Sequence, residues 1–148
     1  TTLVFGLLLG FADRYVASGQ GGSKSLTLPM AIMIGLAQGL APVPGVSRSG
    51  ITMTAALLLD MDRQSAARFS FLLSIPVIAS AGALKAWELS HSDALVNWPM
   101  LALGVVVSAL TAYSCIALFL RLLDRVGLMP FVYYRLLLAA LLYGLVLI

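Results

Sequence analysis

The sequence predicts an all-α, polytopic membrane protein carrying a re-entrant helix–loop–helix pair. Three observations predict it. Of the 148 residues, 61% are hydrophobic and 10% charged, whereas soluble domains run at about 45–50% apolar and about a quarter charged; the mean hydropathy is +1.02. Charge is confined to short segments that separate apolar runs of spanning length. One further apolar run, 26–59, is broken near its middle by "PVPGVSRSG", residues 42–50, which holds two prolines, two glycines, two serines and Arg48.

Taken in order, the opening "TTLVFGLLLG" is apolar, starts with Thr rather than Met and has no basic region ahead of it. It reads as the end of a transmembrane helix, residues 1–11, and not as a signal peptide, so a fragment of a longer chain is expected. Residues 13–25, with "SGQGGSKS", predict a flexible polar loop. A spanning helix needs about 20 apolar residues. Residues 69–87 come close, with Pro76 expected to kink the helix and Lys85 placed to snorkel at its end. Residues 99–120 are uncharged throughout, and 126–148 are interrupted only by Arg135. Short loops at 60–68, 88–98 and 121–127 complete a single membrane domain, 1–148. Arg63 and Arg68 mark one loop and Arg121 and Arg125 another, whereas the loop of Glu88, His91 and Asp93 has no basic residue after Lys85. The positive-inside rule puts the first two in the cytoplasm and the third outside.

The run 26–59 is too long for one crossing and too short for two, which would take about 40 residues plus a turn. A re-entrant pair is the economical solution: one half-helix enters, a loop turns near the midplane, and a second half-helix leaves on the same side. Irregular backbone at that depth is tolerated only inside protein or against a wet cavity, so the tip must line something. The second half-helix begins near Ser47 to Gly50, with a serine available as N-cap. Its free N–H groups and the positive end of its dipole favour an anion. Arg48 adds a charge and a forked donor suited to phosphate oxygens, Ser47 and Ser49 add hydroxyls, and Gly45 and Gly50 allow close backbone approach. A proline kink with Arg48 paired to a carboxylate on another helix explains the same spacing, and carriers build substrate sites from broken helices too.

Other classes are less well served. The net charge of +3 is spread along the loops, unlike the clustered basic face of a nucleic-acid binder. One cysteine, Cys115, excludes a disulfide framework. His91 and six acidic residues supply no metal cage from one cluster.

"GLAQGLAPVPGVSRSG" followed by "RFSFLLSIPVIASAGAL" resembles the second signature region of the undecaprenyl-pyrophosphate phosphatase family, bacterial membrane enzymes also called bacitracin-resistance proteins, UppP or BacA. The "PGxSRSG" element is Pro44, Gly45, Val46, Ser47, Arg48, Ser49 and Gly50; the "FSFLL.IP" element is Phe69 to Leu73 with Ile75 and Pro76; and "PF..YR" is Pro130, Phe131, Tyr134 and Arg135. The resemblance covers essentially the whole chain but only the family's C-terminal half. It implies hydrolysis of undecaprenyl pyrophosphate to undecaprenyl phosphate and phosphate, which recycles the lipid carrier of cell-wall (peptidoglycan) synthesis at the bacterial inner membrane. It also implies two inverted repeats, each with a re-entrant pair, meeting at a pocket open to the outer face. A divalent cation, Mg or Ca, would take its ligands mainly from the missing N-terminal half, the expected partner, and a homodimer is compatible with all of this. The family's other signature, with its glutamates, serine and histidine, has no match here. Gln38 falls where the other repeat has a carboxylate, and this half alone is expected to be inactive.

On this reading Arg48 clamps the pyrophosphate, while Ser47, Ser49, Gly45 and Gly50 bind phosphate oxygens. Either serine serves equally well as a plain helix cap. Gln38 and Thr52 support the site: Gln38 orients water or a carboxylate, or else joins the two half-helices, and Thr52 reaches the cavity or bonds back to its own helix. Arg135 is read as snorkelling to the headgroups, and Arg63 and Arg68 as loop charges. A flippase or transporter for a phosphorylated polyprenyl lipid, or a non-catalytic scaffold, remains as the alternative.

Overall fold

A computed structural model describes residues 1–18, 25–91 and 97–146. Residues 19–24 of the loop expected at 13–25, the middle of the loop at 88–98 and residues 147–148 therefore lie outside the described residues. Among those described there are six helices and no strand: α1 (Thr2–Ala17), α2 (Leu28–Gln38), α3 (Arg48–Leu58), α4 (Arg63–Ser90), α5 (Trp98–Val126) and α6 (Met129–Val146).

The break in the apolar run falls between α2 and α3, each 11 residues long. At 1.5 Å per residue each is about 16 Å, too short to cross a hydrocarbon core of about 30 Å. α2 carries Pro29 in its first turn, where a missing N–H costs nothing. It unwinds at Gly39 into successive tight turns. The last joins Val46 N–H to the Val43 carbonyl at 3.1 Å, with Pro44 and Gly45 at its corners and Gly45 at φ 90°. Proline followed by a positive-φ glycine is the pattern of a type II turn. Ser47 then caps α3, its Oγ accepting from Gly50 N–H at 3.2 Å. At the far end Asp60 takes φ 68° and Met61 N–H bonds to the Ala56 carbonyl at 3.1 Å, a Schellman-type stop.

α3 is the hub. It packs on α1, α2 and α4, α1 also packs on α6, and α4 on α5. The core is Leu9 and Ala12 of α1, Met30 and Ile34 of α2, Met53, Ala56 and Leu57 of α3, and Met61, Ala66, Ala67, Leu123, Leu128 and Val132 around them. Two glycines bring α1 close to α6: an added Cβ would lie 3.1 Å from Val132 Cγ1 at Gly10 and 3.5 Å from Arg135 Cβ at Gly6. Gly35, by contrast, meets nothing within 4 Å.

Several helices outrun their expected bounds for one reason: charge ends a membrane span but not a helix. α1 continues to Ala17 through Asp13, which is buried at 1% exposure and bound by Arg63 of α4, Nε to Oδ1 at 2.5 Å. Arg63 is therefore a tertiary partner rather than a loop charge. Asp62 caps α4 by accepting from Ser65 N–H at 2.9 Å, so the loop expected at 60–68 is helical from residue 63. α4 runs on through Pro76 without interruption. α5 carries Arg121 and Arg125 inside its last turns and stops at Gly127, φ 71°.

Among the described residues, α4 and α5 are long and apolar enough to cross a membrane. Their apolar side chains are largely bare: Leu103, Val105, Leu110 and Leu118 of α5 are each more than 60% exposed. Water is a poor solvent for such a surface, and the chain is a membrane protein.

Candidate functional site

The broken segment opens onto a cavity of about 390 Å³. Its walls divide by chemistry. At one end stand Ser47, Ser49 and Gly50 of the α3 N-terminus, with Arg135 of α6; the rest is apolar, from Leu9, Met53, Phe71, Ile116, Phe119, Leu128 and Phe131, with Cys115 and Tyr134. Three aromatic rings hold the apolar wall together. Phe71 meets Phe119 edge-on with centroids 5.5 Å apart, and Phe119 meets Phe131 at 4.9 Å. Met53 lines this wall as well as the core, and Met30 is buried, whereas Met33 is exposed.

The polar end is built on the first turn of α3. Ser47 is the cap, and its Oγ also lies 3.2 Å from Ser49 Oγ. Of the two serines, Ser47 thus has the capping role and Ser49 keeps its hydroxyl toward the cavity. Gly50 is where the close approach is needed: a Cβ there would stand 2.9 Å from Arg135 Nη1. Arg135 Nη2 also donates to the Gly45 carbonyl, at 3.4 Å. Gly45 itself does not line the cavity. Its positive φ makes the turn, and its Cα faces the start of α1, where an added Cβ would run into Thr2. The hydroxyl of Thr1 donates to the Pro44 carbonyl and that of Thr2 to the Gly45 carbonyl, so α1 anchors the turn.

Arg135 is what sequence reasoning missed. Its place toward the start of the last span argued for snorkelling. Instead α6 lies against α1, and the side chain reaches across to the α3 tip. The signal available was its place in the "PF..YR" element, whose Phe131 and Tyr134 share the cavity wall. Pairing of Arg135 with Asp124 does not occur; Asp124 accepts from Gln64 Nε2 at 2.8 Å.

Arg48 is the first residue of α3, half-buried, and outside the cavity lining. Its side chain makes no hydrogen bond or ion pair among the described residues, although its carbonyl accepts from Thr52. Gln38 is the last residue of α2 and also stands outside the lining. Thr52 is buried, and its hydroxyl bonds back to the Arg48 carbonyl at 3.0 Å and the Ser49 carbonyl at 3.1 Å. It supports the tip from behind and does not face the cavity. Among the described residues no three His, Cys, Asp or Glu side chains cluster as metal ligands, and the cavity lining contains no carboxylate. A hard divalent cation wants several oxygen ligands, and this donor set does not fit one.

The electrostatics are lopsided. A unit positive charge set about 4 Å from the half-positive end of a helix is unfavourable by roughly 2 kcal/mol at an effective dielectric of about 20. Arg135 sits at such an end, the end of a helix whose first residue is itself an arginine, Arg48, and no acidic side chain stands in the wall. An anion bound there is attracted to both the guanidinium and the helix end, and these attractions outweigh the repulsion between the two.

The family profile described as "Bacitracin resistance protein BacA" matches residues 1–141. The undecaprenyl-diphosphatase of Alcanivorax borkumensis is 57% identical over 138 residues, covering 93% of this chain and 52% of that protein. Undecaprenyl-diphosphatase 1 of Pseudoalteromonas translucida is 54% identical over 140 residues, 93% of this chain and 52% of that protein. The chain spans about half the length of the curated relatives it matches. With its profile matched over nearly its whole length, the chain belongs to the bacitracin resistance protein BacA family.

Proposed function

We propose that this chain is the C-terminal half of an enzyme that hydrolyses undecaprenyl pyrophosphate to undecaprenyl phosphate and inorganic phosphate. α2 and α3 form the re-entrant pair of one of two inverted repeats in the bacterial inner membrane, with the pocket opening to the outer face. The observation that carries this reading is the placement of the Arg135 guanidinium at the α3 N-terminus above an apolar wall. That pairing of a cationic end with an apolar body matches a pyrophosphate head on an isoprenoid stem. The relatives' printed names, undecaprenyl-diphosphatase, support the same substrate.

In the reaction, water adds to the terminal phosphorus while the bond to the bridging oxygen breaks. The lipid phosphate leaves, and the water's proton passes to a base on the other half. This chain's part is positioning and charge stabilisation, the main source of catalysis in phosphoryl transfer. Arg135 and the α3 N–H groups hold phosphate oxygens, and Arg48 clamps the pyrophosphate as it draws in. Ser49 donates a hydroxyl. Phe71, Phe119 and Phe131 receive the first isoprene units and keep bulk water from the leaving oxygen. Ligands for a divalent cation belong to the remainder of the polypeptide, and no step here is routed through one.

The test is phosphate release from farnesyl and undecaprenyl pyrophosphate by the full-length protein. Arg48→Ala should abolish it while the protein still inserts and folds, and Arg48→Lys should restore only part, because a point charge cannot offer two parallel donors. Near-normal turnover by Arg48→Ala would remove the clamp. Binding of the lipid without release of phosphate would turn the reading toward a carrier.

A further inference from the structure

Behind the anion tip lies a buried pair of hydroxyls on two different helices. Thr52 of α3 is 1% exposed and Ser70 of α4 is 4% exposed, and their Oγ atoms stand 2.6 Å apart. Thr52 Oγ1 also reaches the carbonyls of Arg48 and Ser49, and Ser70 Oγ lies 3.4 Å from the Ser49 carbonyl. The geometry points to Ser70 as a positioning residue for the phosphate site, acting through Thr52 on the first turn of α3.

The proton count shows how. The two hydroxyls have two protons between them. If Thr52 donates to a first-turn carbonyl, Ser70 donates to Thr52 Oγ1. If Thr52 donates to Ser70, Ser70 donates to the Ser49 carbonyl. In both arrangements the pair delivers a hydrogen bond to the carbonyl of Arg48 or Ser49. Those carbonyls belong to the same peptide units as the N–H groups of Ser49, which faces the ligand end of the helix, and of Gly50, which the Ser47 cap holds. A donor on a peptide oxygen polarises the unit and strengthens its N–H as a donor. The pair therefore sharpens the Ser49 amide, which meets the phosphate, and firms the Gly50–Ser47 cap that fixes its direction. It also fixes spacing, because the next residue after Ser70 is Phe71, which lines the apolar wall. One buried contact thus holds the phosphate end and the isoprenoid wall in register.

This inference rests on the function proposed above, and its test separates the two. In the full-length protein, Ser70→Ala and the near-isosteric Thr52→Val are measured for turnover of farnesyl pyrophosphate, for thermal unfolding, and for the stabilisation conferred by inorganic pyrophosphate. Weakening the first-turn donor that meets the phosphate by about the worth of one hydrogen bond predicts a fall in kcat of about tenfold. KM should change much less, and the melting temperature of the unliganded protein should move little. Thr52→Ser keeps the hydroxyl and should recover most of what Thr52→Val loses, and the double variant should be no worse than Thr52→Val alone. The pyrophosphate-induced stabilisation should shrink in both single variants. Wild-type kcat and wild-type pyrophosphate stabilisation in Ser70→Ala and Thr52→Val would overturn the inference and leave the phosphatase reading intact. A wild-type protein that hydrolyses no lipid pyrophosphate, yet loses pyrophosphate stabilisation on Ser70→Ala, would overturn the phosphatase reading and keep the positioning role.

Discussion

Replacing Arg135 with alanine should separate activity from stability in opposite directions. In the unliganded protein the guanidinium faces the positive end of α3, a repulsion of roughly 2 kcal/mol at an effective dielectric of about 20. Against it stands one long hydrogen bond to the Gly45 carbonyl, at 3.4 Å, contributing about 1 kcal/mol at most. The Cβ that packs on Gly6 is retained by alanine. Removing the guanidinium should thus leave the unliganded protein as stable as wild type or more stable by about 1 kcal/mol. With substrate the balance inverts. Two charge-assisted hydrogen bonds to phosphate oxygens, together worth about 3 kcal/mol or more, correspond to a loss of roughly two orders of magnitude in kcat/KM. The assay pairs phosphate release with thermal unfolding of the full-length protein, with and without inorganic pyrophosphate. Pyrophosphate at about 100 times its dissociation constant should stabilise the wild type by about 2.7 kcal/mol and the variant far less. If the variant keeps its activity within about threefold and instead melts earlier, Arg135 is an anchor for α6 and the electrostatic argument fails.

Three further outcomes follow from neighbouring contacts. Gly50→Ala places a Cβ 2.9 Å from Arg135 Nη1 and 3.2 Å from Ser47 Cβ. The flexible guanidinium gives way, so activity should fall about tenfold while the helix gains up to about 1 kcal/mol of intrinsic propensity, read by kinetics beside thermal unfolding. Arg63→Ala strands the buried Asp13 carboxylate; because Arg63 is one-third exposed, the low end of the usual range applies, about 3 kcal/mol of lost stability, partly recovered by adding Asp13→Asn. At Asp62, partial burial pushes the carboxyl pKa up, but hydrogen bonds from Ser65 and Gln64 together outweigh it and hold the pKa below its ordinary 3.8. The stabilisation from this cap is therefore complete above pH 3.8 and is lost as the pH falls through the lower folded value. Asp62→Ala should cost about 1 kcal/mol at neutral pH and flatten that acid limb.

The break between α2 and α3 was legible because it depends on local chemistry. Two prolines, a glycine that can take positive φ and a serine that can cap are properties of adjacent residues, and they act wherever the segment sits. The reading of the tip as an anion site likewise rests on adjacent residues, the capped helix end and Arg48. Helix ends were misplaced where charged residues were read as stops. Asp13 and Arg63 look like loop residues one at a time and become helical because each meets the other across α1 and α4, 50 positions apart. No local pattern encodes that meeting.

Arg135 fails in the same way but with a larger consequence. Its depth along α6 argued for the headgroups, and that argument holds for a helix surrounded by lipid. Gly6 and Gly10 remove the side chains that would keep α1 from α6, so the two helices close up, and α1 also packs against α3. The guanidinium is thereby carried to the α3 tip, where like charges face one another. A fold does not place two such groups together without some return, and the return available here is a ligand that neutralises both. The arrangement that looks worst in the empty protein is thus the strongest pointer to phosphate. It could not be seen in the sequence because the misfit is between helices, and each helix taken alone is unremarkable in its charge.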